Sequence, residues 1–123
     1  MTTEMLNCSQ DVKEYGTNHK ILTILPFEVN GLMQRDFNSV IIDVREASDF
    51  IRGHIPNAVN LPEGNWDKIS GWHDECLMII YSHDQDCPLS HQAAQTFAAY
   101  NYAVIAMEGG FAAWKEYNFQ VER

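Results

Sequence analysis

The 123 residues carry 17 Asp and Glu against 8 Lys and Arg. The resulting net charge of −9 repels nucleic acid and anionic membrane surfaces, so neither is expected as a partner. A hydrophobic content of 46% suits one globular domain with a real core, and no run approaches the ~18 apolar residues of a membrane span.

Residues 1–8 are polar and unpatterned and read as a loose N-terminal arm, with one domain over 9–123. The arm has neither the basic nor the apolar region of a secretory signal. Three cysteines without regular spacing suit free thiols in a reducing compartment, so a cytoplasmic location is expected. Ser9 is placed to cap a short helix over 11–15, which Gly16 and Asn18 would end. Residues 21–25 form a short apolar run that reads as a strand. Pro26 suits the first turn of a helix over 27–34, with Phe27, Val29 or Asn30, and Met33 near one face.

The clearest strand is 40–44, short, β-branched and apolar on both faces, as in a parallel sheet covered on both sides. A helical turn follows over 47–51 with Phe50 and Ile51 inward, then a strand over 58–61 closed by Pro62. Residues 65–70 read as a brief helix; Trp66 and Trp72 bracket this loop and are expected to pack against the core or its rim. A second buried strand covers 76–81, with Cys76 as inert packing at its start. The longest helix, 89–100, presents Ala93, Ala94, Ala98 and Ala99 for close packing on the sheet. A third buried strand over 103–107 and a helix over 110–117 complete the chain. Strands alternating with helices argue an α/β domain with a mainly parallel sheet.

The strand over 76–81 runs into Ser82-His83-Asp84-Gln85-Asp86-Cys87-Pro88 and then directly into the helix. Strand, tight loop and helix N-terminus is an arrangement that aims backbone N–H groups at an anion. With Pro88 at the first helical position, Cys87 falls at the N-cap, where N–H groups stabilise a thiolate. Asp84 and Asp86 oppose this by raising a thiol pKa and repelling anions, and no Lys or Arg lies between Asp74 and Lys115. A functional thiol and an incidental loop cysteine are both open readings of Cys87. Ser82 is a poor nucleophile without an oriented base, and the adjacency of His83 supplies none. His83, Cys87 and His91 fall four apart, but the first lies in the loop and the last in the helix. No fourth ligand is evident, so no metal and no cofactor are expected.

Two further segments frame the loop. One is Asp43-Val44-Arg45-Glu46 with Gly53-His54-Ile55-Pro56-Asn57-Ala58; the other is Gly109-Gly110 followed by Trp114. Together with the loop, these signatures closely resemble the rhodanese-like family over about residues 21–114. The resemblance implies a five-stranded parallel sheet between helices, with the active-site loop wrapped round the N-terminus of the helix that starts at Leu89. Asp43 and Arg45 can pin neighbouring loops through charge-assisted hydrogen bonds. His54 reads as a loop-bracing side chain rather than a general base. Asn57 stands where family members usually have glycine, and Asn tolerates a left-handed backbone. Gly109 and Gly110 permit a tight turn that brings backbone close to the loop, and Trp114 belongs to the core.

Sulfur-transferring members hold a cysteine at the first loop position; it takes a sulfane sulfur as a persulfide and passes it to a thiophilic acceptor. Their typical loop reads Cys-x-x-Gly-x-Arg. This chain has Ser82 in the first place, Gln85 where Gly is common and Cys87 where Arg is common. It resembles a Cys-x-x-x-x-Cys branch with the first cysteine replaced. His83, Asp84, Gln85, Asp86 and Pro88 would make up the rest of the binding loop. The expectation is weak or absent thiosulfate sulfurtransferase activity, with any transfer passing through a Cys87 persulfide. The alternative is a catalytically silent binding or regulatory module. The partner is then a small sulfur donor or acceptor, or an unidentified protein. A phosphatase or arsenate reductase of the related Cys-x5-Arg type lacks both its Cys and its Arg here.

Overall fold

The computed structural model describes residues 21–69 and 76–123. The expected arm over 1–8, the helix over 11–15, Cys8, Ser70 and Trp72 lie outside these residues. Five strands form one sheet: β1 (Thr23–Ile24), β2 (Ser39–Asp43), β3 (Val59–Asn60), β4 (Leu77–Tyr81) and β5 (Val104–Met107). Their spatial order is β1-β5-β4-β2-β3, and every neighbouring pair is parallel. The α/β reading, with three buried parallel strands at its centre, holds.

The apolar runs produce this sheet because their alternate side chains enter two separate cores. Met78 and Ile80 of β4 join Ile42 and Val44 on one face, covered by Ala93, Ala94 and Phe97 of α3 (Leu89–Ala99). Ile79 and Tyr81 join Ile41 and Met107 on the other. That face is covered by Val29 of α1 (Pro26–Gln34) and by Phe111 and Trp114 of α4 (Gly110–Glu116). Each fully buried Ile contributes about 1.5–3 kcal/mol of transfer free energy. The alanines at 93 and 94 have no exposed surface, which lets α3 lie close to the sheet.

Some elements depart from the expectation in detail. Helix α1 starts at Pro26 itself, and the Glu28 carboxylate accepts the Leu25 N–H at 2.9 Å. Val29 is its core anchor, whereas Phe27 is 51% exposed and rests near the ring of Tyr117. Ile51 does not point inward: it is 68% exposed, and α2 (Ala47–Arg52) buries none of its side chains. That helix has six residues and ends at Gly53, so its contact with the fold comes from Phe50, which stacks on His54 at 3.7 Å between ring centroids. The expected helix over 65–70 is a single 3₁₀ turn, Trp66–Ile69. Its Trp66 indole donates to the Leu61 carbonyl at 3.0 Å and meets Phe97 edge-on, as packing rather than a partner surface. Cys76 stands one residue before β4 and is half-buried. Among the described residues no helix is long and apolar enough to cross a membrane.

Because Ile79 is fully enclosed at the sheet centre, Ile79→Ala is expected to destabilise the fold by about 2–5 kcal/mol. Ile51→Ala should change stability by no more than about 0.5 kcal/mol. Urea midpoints of the two variants check this difference.

Candidate active site

Strands β2 and β4 are neighbours, and their registers place Asp43 opposite Tyr81 at the C-terminal edge of the sheet. Asp43 has no exposed surface. Its Oδ2 accepts from the Tyr81 hydroxyl at 2.5 Å and from Arg45 Nη2 at 2.7 Å. Its Oδ1 accepts from Arg45 Nε at 3.0 Å and from the Arg45 backbone N–H at 2.9 Å. Arg45 Nη2 also donates to the Gly53 carbonyl at 2.6 Å, and the Ile55 N–H donates to the Tyr81 oxygen at 3.1 Å. Asn60 of β3 donates to the carbonyls of Asp43 and Arg45. The buried charges are thus paired and hydrogen-bonded, the condition under which a buried ion pair is tolerated. Burial raises the Tyr81 pKa far above its ordinary value, and the Asp43 charge raises it further. For Arg45, burial acts to lower the pKa, but the Asp43 and Tyr81 interactions outweigh it, and the guanidinium stays charged.

His54 bonds both to α2 and to the C-terminal segment. Its ring Nδ1 lies 2.8 Å from the Phe50 carbonyl, and its backbone exchanges two 2.9 Å hydrogen bonds with Glu122. Asn57 takes the left-handed conformation at φ 69°, and its N–H donates to the Glu122 carboxylate at 3.1 Å.

The loop leaves β4 at Ser82, which is 1% exposed. Its first two carbonyls are taken by the start of α4: Phe111 N–H donates to Ser82 O at 2.8 Å, and Ala112 N–H to His83 O at 2.9 Å. This approach requires glycine. Gly110 has φ 63°, and a Cβ there would sit 2.5 Å from the Asp84 nitrogen and 2.6 Å from the His83 carbonyl carbon. The loop then curls on Asp84, whose carboxylate accepts the Asp86 N–H at 3.0 Å and whose carbonyl accepts the Cys87 N–H at 3.3 Å. Among the described residues no acceptor takes the N–H groups of His83, Asp84 or Gln85. Asp84, Gln85, Asp86 and Pro88 are exposed.

Cys87 is half-buried, and its Sγ lies 3.0 Å from the Ser82 Oγ. The sequence expectation for its position is corrected by one residue. The N-cap of α3 is Pro88, with φ −81° and ψ −4°, and its carbonyl accepts the first helical bond from Gln92. Cys87 therefore stands just outside the helix, and Asp84 rather than the helix holds its N–H. His83, Cys87 and His91 are not drawn together: His91 is exposed on α3, and His83 Nε2 lies 3.6 Å from Asp49 of α2. Among the described residues no group of three or more His, Cys, Asp or Glu could hold a metal ion.

Beside the loop, at His83, opens a cleft of about 290 Å³ lined by Arg45, Arg52, Lys115 and Arg123, with Asp49 as its carboxylate. The loop segment itself has no Lys or Arg, but the fold brings four to its edge from other parts of the chain. Sequence reasoning named Arg45 but missed Arg52, Lys115, Arg123 and Tyr81. One signal was present: Phe111 and Lys115 are four apart on a helix, and the Lys115 ammonium lies 5.1 Å from the Phe111 ring centroid.

Residues 28–117 match the family model for the rhodanese-like domain. The chain belongs to the rhodanese-like family. It is 35% identical over 95 residues to the thiosulfate sulfurtransferase GlpE of Shewanella oneidensis, an alignment that covers 73% of this chain and 91% of that protein. Two solved structures share the fold at lower identity. A protein of Bacillus halodurans superposes with a TM-score of 0.78 at 22% identity, over 91% of this chain and 84% of its own. The rhodanese-like domain of an Anabaena protein superposes with a TM-score of 0.73 at 21% identity, over 84% and 80%.

Two expected outcomes follow from this geometry. Gly110→Ala should cost about 2 kcal/mol or more in thermal or urea unfolding, because both the positive φ and the loop contact resist a Cβ. Tyr81 keeps its proton in the folded state, whereas an unfolded tyrosine ionises near its ordinary value of 10.0. Its contribution to stability is therefore complete below that value and declines as the pH rises beyond it. Tyr81→Phe, though less stable at neutral pH through the lost bond to Asp43, should lose less additional stability between roughly pH 9 and pH 11. Urea unfolding across that range checks the slope.

Proposed function

We propose that this chain is a rhodanese-type sulfur carrier whose working thiol is Cys87, with Ser82 where thiosulfate-cleaving relatives hold their cysteine. The observation that carries this reading is the 3.0 Å approach of the Ser82 hydroxyl to the Cys87 sulfur. A thiolate can only accept, so in the ionised state Ser82 is the donor. The pair sits in a loop whose neighbouring N–H groups have no acceptor among the described residues. A thiol with this task needs a reducing compartment, in keeping with a cytoplasmic location.

The chemistry takes two displacements. The Cys87 thiolate attacks the sulfane sulfur of a donor; the donor's S–S bond breaks and its remainder leaves with the bonding pair, as sulfite from thiosulfate or as a thiolate from a persulfide. Cys87 then carries a terminal persulfide anion. An acceptor thiolate attacks the outer sulfur, and the Cys87 thiolate departs with the pair. Ser82 stays a hydrogen-bond donor throughout and forms no bond to sulfur. Asp84 and Asp86 flank the thiol and disfavour a dianionic donor, so thiosulfate is a slow substrate and an uncharged or monoanionic persulfide a better one.

Incubation with a sulfane donor should add one sulfur atom to the peptide containing Cys87, read by intact-protein and peptide mass spectrometry. Cys87→Ser should abolish the adduct. Ser82→Ala should slow alkylation of Cys87 at neutral pH by about tenfold, the size of one lost charge-assisted hydrogen bond. If neither thiosulfate nor glutathione persulfide nor polysulfide leaves sulfur on Cys87, the transfer reading fails. The domain is then a catalytically silent binding module.

A further inference from the structure

We propose that the cleft beside the active-site loop binds the phosphate group of a small ligand, held by Arg52 and Lys115 with Arg123 at its edge. The site does not draw on Cys87, so it stands or falls separately from the sulfur chemistry.

The first ground is the distribution of charge. The chain has only 8 Lys and Arg against 17 acidic residues, yet four of those cations line this one cleft with Asp49 as its carboxylate. Gathering like charges costs free energy unless an anion is bound among them. Arg45 is paired with Asp43 and donates to the Gly53 carbonyl. Arg52, Lys115 and Arg123 are exposed. Even with Asp49 cancelling one charge, a surplus of positive charge faces the opening. The excess acid elsewhere repels a polyanion, so the fitting ligand is small.

The second ground is geometry. The ring of Phe111 is shared by two cations, with the Arg45 guanidinium 4.3 Å and the Lys115 ammonium 5.1 Å from its centroid. That contact fixes Lys115 at the cleft without neutralising it. Arg52 reaches in from the end of α2, its guanidinium 3.4 Å from Asp49 and its side chain 78% exposed. A planar guanidinium fork beside an ammonium suits a tetrahedral dianion, which accepts two parallel bonds from one and a point charge from the other. Asp49 occupies the same ground, 3.4 Å from Arg52 and 3.6 Å from His83, and an arriving phosphate takes its place. A cleft of about 290 Å³ holds a phosphate with a short organic remainder.

Isothermal titration of the full chain with inorganic phosphate and with glycerol 3-phosphate, at constant ionic strength, tests this. Saturable binding at one site is expected. The double variant Arg52→Gln with Lys115→Gln should weaken it by roughly tenfold or more, and Asp49→Asn should tighten it severalfold. Cys87→Ser should bind unchanged. Tighter binding of phosphate identifies the free ion as the ligand, and tighter binding of the ester identifies a phosphate carried on a larger molecule. Absence of saturable uptake by the unmodified chain overturns the proposal. So does a double variant that binds as tightly as the unmodified chain while keeping the same thermal midpoint.

Discussion

The Asp43 carboxylate lies at the end of a central strand with no exposed surface, and most of the site-bearing edge of the sheet is organised around it. One carboxylate accepts from the Tyr81 hydroxyl of the adjacent strand and from the guanidinium and backbone of Arg45. Through Arg45 the contact extends to Gly53, and through Tyr81 to Ile55. The loops after β2 and α2 and the strand end that launches the Ser82–Pro88 loop are thereby tied to one buried charge. Removing either Asp43 or Arg45 would leave the other as a desolvated, uncompensated ion, a cost of about 3–5 kcal/mol for a buried pair. The constraint is therefore stiff, and the loop inherits its starting position from it.

From that start the loop is shaped by backbone rather than by side chains. Ser82 and His83 surrender their carbonyls to the first turn of α4, and the left-handed glycine at 110 makes the approach possible. Asp84 then closes the curl on itself and on Cys87. The outcome is a half-buried thiol facing a buried hydroxyl, with loop N–H groups that find no acceptor among the described residues. Charge in the loop is acidic, while the cleft at its edge is basic. This separation gives the site two electrostatic characters within one small region.

Much of the fold is legible in the residues themselves. The runs at 40–44, 76–81 and 103–107 are apolar on both faces, and only a strand buried on both sides can use such a run. Asp43, Arg45, Gly110 and Asn57 were recognisable because each is of a residue type whose chemistry or backbone freedom is unusual in its place. Short elements were read less well. Ile51 and Phe27 are apolar but exposed, since a six-residue helix and the first turn of α1 have other anchors. One residue decided the position of Cys87, because Pro88 can serve either as the cap or as the first helical position.

The sequence by itself determined the family, the parallel sheet and the loop from Ser82 to Pro88, since all of these are written in local residue order. The tertiary structure alone decided what surrounds the loop. The Tyr81 link to Asp43 and the pairing of Ser82 with Cys87 depend on side chains meeting across strands and turns. The basic cleft depends on Arg45, Arg52, Lys115 and Arg123 converging from widely separated positions. Electrostatic interactions act through space rather than along the chain, so a segment that reads as purely acidic can still stand beside concentrated positive charge.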